Sequence, residues 1–92
     1  MMTPEELTAF TDRVRAFLDA NAIECLIGLT YSYGDKVLIL RLEDFERVFR
    51  GREVNVMTQS GFDHIRAECD GFGALALRPM PMVLGPRVEV MP

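Results

Sequence analysis

One histidine, two cysteines and a single lysine stand in 92 residues, and each scarcity narrows the chemistry open to the chain. Cys25 and Cys69 are too few for a disulfide-built scaffold. No C-x2-C pair is present, so with His64 they make a poor zinc set. No run of about 18 apolar residues occurs, which excludes a membrane-spanning helix. The opening MMTPEELTAF carries two acids and no basic stretch, so a secretory signal is not expected. Free thiols in a reducing cytoplasm follow as the expectation, with a Cys25–Cys69 bridge as the alternative. A phosphate-cradling loop is missing as well. GFGALAL, from Gly71, lacks the third glycine and the strand–turn–helix setting of a dinucleotide fingerprint. Neither G-x-S-x-G nor H-E-x-x-H occurs. No catalytic, cofactor-binding or metal-binding residue is therefore assigned.

Basic charge is scarce too. The net charge is −4, and the acids crowd into the first half of the chain. A general nucleic-acid binder needs a basic face to release counterions. RVFRGR, residues 47–52, is a local basic patch that no wider face extends. The acidity is also too mild for a mimic of DNA.

What the chain does have is apolar pattern. Hydrophobic residues make up 49 %, enough for one core, so 1–92 reads as a single domain. Thr3-Pro4-Glu5-Glu6 has the form of a capping box, in which the Thr3 hydroxyl accepts from the Glu6 N–H and Glu6 reaches back. Pro4 falls at the first helical position, where a missing N–H costs nothing. Met2 and Leu7 are spaced for a hydrophobic staple. Leu7, Phe10, Val14, Phe17 and Leu18 form one stripe at helical spacing, predicting a core-facing helix that stops at a left-handed Asn21.

Strands are predicted near 24–33 and 36–42, joined by Gly34-Asp35 as a type II′ turn. That turn pairs Tyr33 with Lys36, Tyr31 with Leu38, Leu29 with Leu40 and Ile27 with Leu42. The first helix would cover the Ile27/Leu29/Leu38/Leu40 face. LEDFERVFRG predicts a short second helix. Its acids Glu43, Asp44 and Glu46 lie at the start, Arg47 and Arg50 at the end, and Gly51 closes it. EVNVM, residues 53–57, alternates as a strand, and 58–61 reads as a turn.

The stretch HIRAECDGFGALALR, residues 64–78, admits two structures. A helix capped by Ser60 would align Phe62, Ile65 and Cys69. A hairpin would reverse at Asp70-Gly71. With a two-residue turn, Ile65 and Ala67 share a face with Ala74 and Ala76. With a three-residue loop, Cys69-Asp70-Gly71, they join Gly73, Leu75 and Leu77, leaving His64, Arg66 and Glu68 on the other face with Phe72, Ala74 and Ala76. The hairpin is preferred to the helix, and the three-residue loop, which segregates large apolar residues better, is its preferred form. His64 and Cys69 do not meet locally in either structure. Five positions put them on opposite faces of a strand, or about 140° apart on a helix.

PMPMVLGP, residues 79–86, is uncharged and proline-rich, so it reads as an edge or extended segment. It either folds back to complete a thin core or presents a docking or dimer patch through Met80, Met82, Val83 and Leu84. RVEVM, residues 87–91, forms a last strand. The class is α+β: an N-terminal helix packed on a mainly antiparallel sheet of about four to five strands, with a second short helix, in the approximate order α-β-β-α-β-β-β.

The run DFERVFRGREVNV…HIRAECDGFGALAL, from Asp44, resembles small phage and prophage-borne proteins. In those a short helix and a strand precede an H-x3-E-x-D-G hairpin ending in A-L; the matching positions are His64, Glu68, Asp70, Gly71, Ala76 and Leu77. In size and plan the chain is similar to anti-CRISPR and other anti-defence proteins. That resemblance implies a non-enzymatic inhibitor in the host cytoplasm, binding a protein partner such as a host defence ribonucleoprotein by steric contact and needing no cofactor. Candidate contacts are Met80, Met82, Val83 and Leu84 of the tail, the acidic patch Glu43, Asp44 and Glu46, and the row His64, Arg66 and Glu68. An alternative is a small self-associating phage or bacterial protein, dimeric through its tail. A third is a thiol enzyme or ligand-binding domain built on Cys25, Cys69 and His64.

Overall fold

The computed structural model describes residues 2–32 and 34–92. Two helices and six strands follow in the order α1 (Pro4–Ala20), β1 (Gly28–Ser32), β2 (Asp35–Ile39), α2 (Leu42–Val48), β3 (Glu53–Gln59), β4 (Phe62–Glu68), β5 (Gly73–Pro79) and β6 (Arg87–Val90). The strands form one sheet, β1-β2-β5-β4-β3-β6. Every neighbouring pair is antiparallel except β2 and β5, which run parallel. The α+β class stands. The sheet has six strands where about four to five were expected, and the expected last strand, β6, lies on the outer side of β3.

The start of α1 follows its cap. The Glu6 N–H donates to Thr3 Oγ1 at 3.2 Å, and the Thr3 hydroxyl donates to Glu6 Oε1 at 3.2 Å, satisfying one of the free N–H groups of the first turn. The end differs from expectation in one residue. Asn21 has φ −107° and closes the helix through its side chain, Nδ2 donating to the Phe17 carbonyl at 2.8 Å. The left-handed residue is Ala22, at φ +53°.

Both helices lie on one face of the sheet. Phe10 and Val14 of α1, Phe45 of α2 and Phe49 at its C-cap are buried against Leu38, Val54, Val56, Ile65, Ala67, Ala74 and Ala76. Phe72, in the β4–β5 turn, joins the layers: its ring lies 5.3 Å from Phe17 and 6.3 Å from Phe10, both edge-on, a favoured aromatic geometry. Arg47 Nη1 donates to the Asn21 carbonyl at 2.7 Å, fixing α2 to the end of α1. The helical cover stops at β2. Leu38 and Leu40 are buried, whereas Ile27 and Leu29 remain exposed, so α1 does not cover the whole face expected of it.

The β1–β2 hairpin is slipped by two residues from its expected pairing. Leu29 faces Leu38, Tyr31 faces Lys36, and Ser32 faces Asp35. Gly34, at φ +79°, is the second loop residue rather than the first. The expected Tyr33–Lys36 pair falls partly on a residue outside those described. At β4–β5 the hairpin forms, but with the two-residue turn. The Cys69 N–H donates to the Phe72 carbonyl at 2.8 Å, Gly71 takes φ +85°, and Ile65 faces Ala76 while Ala67 faces Ala74. The preferred three-residue loop is thus corrected. The physical reason lies above the sheet: α2 packs close on β5, and alanines at 74 and 76 leave room for it.

Candidate functional site

The sheet has two faces of different character. On the uncovered face, Leu77, His64 and Met57 are consecutive cross-strand neighbours, as are Ile39, Leu75, Arg66, Asn55 and Val88. Phe62, Leu77, Met57, Val88 and Val90 are all exposed there, Val88 and Val90 at 60 %. A groove of about 450 Å³ crosses this floor, lined by Met57, His64, Arg66, Leu75, Arg87 and Val88 among others. Five exposed large apolar side chains on one sheet face exceed the scattered singles that a soluble surface ordinarily shows.

His64, Arg66 and Glu68 do share this face, but with different tasks. His64 sits half-buried in the groove wall. Arg66 is held by its neighbours: its guanidinium donates to both Asp35 carboxylate oxygens, at 2.9 and 2.8 Å, and to Glu68 at 2.7 Å. It lies over Gly73, where an added Cβ would come within 2.7–2.9 Å of the guanidinium. Arg66 therefore straps β4 to β2 across β5, and the Asp35 carboxyl is held below its ordinary range by that hydrogen bond.

The remaining candidate contacts lie elsewhere. The 79–86 segment connects β5 to β6 across the end of β4 and β3. The Met80 N–H anchors it to the Gly61 carbonyl at 2.9 Å, and Met82, Val83 and Leu84 stand in solvent, Val83 at 88 % exposure. These three do not fold back to complete the core. Glu43 and Glu46 sit on α2, but Asp44 is withdrawn from that acidic patch. Its carboxylate is buried, accepting from Arg41 Nε at 2.9 Å and from Arg47 Nη2 at 3.2 Å. The Arg41 hydrogen bond holds the Asp44 carboxyl low. An acid between two arginines on its own helix end is a structural brace, which corrects its reading as a surface contact.

Cys25 and Cys69 are both free thiols. Cys69 belongs to the helix side of the sheet, packed at the edge of the core, while His64 belongs to the other side. Burial pushes the Cys69 thiol up, away from the thiolate a nucleophile needs. Among the described residues, no group of three or more His, Cys, Asp or Glu side chains is placed to hold a metal. No helix among them is long and apolar enough to cross a membrane.

One constellation was not anticipated. Asp63 has no solvent exposure, and its carboxylate accepts from Thr58 Oγ1 at 2.6 Å, Arg78 Nη2 at 2.8 Å and Arg87 Nη2 at 2.9 Å. Glu89 completes the set, accepting from Arg78 at 3.0 Å and Arg87 at 2.8 Å. The Thr58 hydroxyl, then the arginines, hold the Asp63 carboxyl below its usual range. The signal for it was parity: Asp63 lies two positions before buried Ile65, and Arg78 two after buried Ala76, so both point inward. Every charge in the set is matched, so it closes the open end of the core rather than presenting a vacant site. No protein-family model, curated protein or solved structure matches the chain.

Proposed function

We propose that the chain is a non-enzymatic binding module that occupies the surface of a larger protein assembly, as the small anti-defence proteins of phages do. The uncovered sheet face carries this reading. A six-stranded sheet with helices on one side only leaves an apolar floor toward water, and such floors are where protein partners dock. The occupant that fits is an amphipathic helix, its apolar ridge seated along the groove between Leu75 and Val88. A net charge of −4 disfavours RNA, so within a CRISPR-type ribonucleoprotein the target of this reading is the protein part. The exposed Met82–Leu84 tip adds flexible apolar contact at the end of the same sheet.

The test is Met57→Glu combined with Leu77→Glu, which places two charges in the floor at exposed positions that do not support the core. Bacterial strains with active CRISPR systems of different types, expressing the wild-type chain, should regain plaquing by a targeted phage in at least one type. The double variant should lose that effect while keeping the wild-type circular dichroism. Full activity of the double variant, or an inert wild type across all CRISPR types, would overturn the proposal.

A further inference from the structure

We infer that the chain pairs with a second copy of itself through β1, across a two-fold axis at Thr30. The two edges of the sheet are built differently. The β6 edge points two charged residues inward, Arg87 and Glu89, and both are engaged in the Asp63 network; inward charge of this kind is one way an edge is guarded against pairing. The β1 edge has no such guard. From Leu26 to Ser32 the sequence is LIGLTYS, without charge or proline, and Leu29 to Ser32 are all exposed. Beside it opens a cleft of about 430 Å³ between β1 and the start of α1, lined by Met2, Leu7, Phe10, Leu29 and Tyr31 among others, with no charged side chain in its wall among the described residues.

The strand is self-complementary in one register. Antiparallel pairing about Thr30 sets Leu29 of each copy against Tyr31 of the other, Gly28 against Ser32, and Thr30 against Thr30. Leu29 and Tyr31 lie on the helix side, as their partners Leu38 and Lys36 show, so both aliphatic–aromatic pairs form over the two clefts. Aromatic–aliphatic and Thr–Thr pairs are among the stabilising cross-strand combinations. A shift by one residue would oppose side chains of opposite faces and leave the clefts open. The symmetric pairing is isologous, so it closes at two copies.

The dimer uses a surface separate from the uncovered sheet face, so the two proposals fail independently. Sedimentation equilibrium of the wild-type chain should give a concentration-dependent dimer. Leu29→Lys with Tyr31→Lys, both at exposed positions, should give a monomer with unchanged circular dichroism, whereas Met57→Glu with Leu77→Glu should remain dimeric. As a second probe, Thr30→Cys in a Cys25→Ser, Cys69→Ser background should oxidise to a covalent dimer. Residues directly opposite across an antiparallel pair are about 4.5–5.5 Å apart at Cα, within disulfide reach. Val88→Cys in the same background, on the other edge, should not cross-link comparably. A wild-type monomer throughout, a dimer indifferent to Leu29→Lys with Tyr31→Lys, or equal cross-linking at both edges would overturn the inference. A monomer that instead binds an unrelated extended peptide at β1 would overturn it as well.

Discussion

At Asp63 a carboxylate without solvent exposure accepts from one hydroxyl and two guanidinium groups. Its pKa is lowered from the ordinary 3.8, so the ionised form contributes stability above the unfolded-state pKa. That contribution is lost as pH falls through the lower folded-state value. Asp63→Asn removes it while keeping the shape. Thermal unfolding should show the variant well below wild type at neutral pH, with the gap closing as pH drops below about 4. A gap of constant size across that range would mean the carboxylate's charge is immaterial. Residue by residue, the network was partly legible. Its inward parity could be read from Ile65 and Ala76, but not the arrival of Arg87 on β6, which joins the sheet by pairing with β3. Arg66 shows the same limit: its partner Asp35 is 31 positions away, and no local pattern joins them.

Elements were legible wherever a local signal had one structural solution. Helix α1 is such a case, with capping residues, Pro4 and the apolar stripe all agreeing. The β1–β2 hairpin shows what pattern cannot decide. A slip of two residues keeps every side chain on its face, so alternation alone accepts Leu29 opposite either Leu38 or Leu40. Only the turn discriminates, and Gly34 proved to be its second residue. At β4–β5 the preferred register assumed that the large residues Leu75 and Leu77 face the core. The neighbouring α2 reverses that preference by requiring alanine beneath it, a demand that strand pattern does not carry. The turn itself can be tested. Gly71 combines φ +85° with the Arg13 guanidinium where a Cβ would stand. Gly71→Ala should cost about 1–2 kcal/mol in denaturant unfolding, the penalty of a left-handed alanine, since Arg13 is a flexible side chain that can swing aside. A neutral substitution would show that the turn can relax to another type.

On the scale of the whole molecule, one sheet is assembled from two antiparallel units. The β1–β2 hairpin is one, and β5-β4-β3-β6 is the other. Their strands pair along β2 and β5, through Val37–Gly73, Leu38–Ala74 and Ile39–Leu75, extended by the Leu40 N–H to the Leu75 carbonyl at 2.8 Å. The strand types could be read from sequence; this parallel contact could not, because it depends on where both units end. Its residues come from opposite halves of the chain, so closing it requires a large loop to be ordered before any contact rewards it. Leu38→Ala, at a fully buried position, should therefore destabilise by about 2–5 kcal/mol, mainly by speeding unfolding. Ile65→Val, within the antiparallel unit, should instead slow folding in stopped-flow measurements. Equal effects of both on the folding limb would show that the units consolidate together. The seam also has a mechanical meaning. A chain pulled apart between its hairpin and its last strand has one line where strands run the same way, few residues bridge, and the Arg66 strap crosses on the uncovered face. That line, rather than either edge, is the grain along which the sheet should cleave.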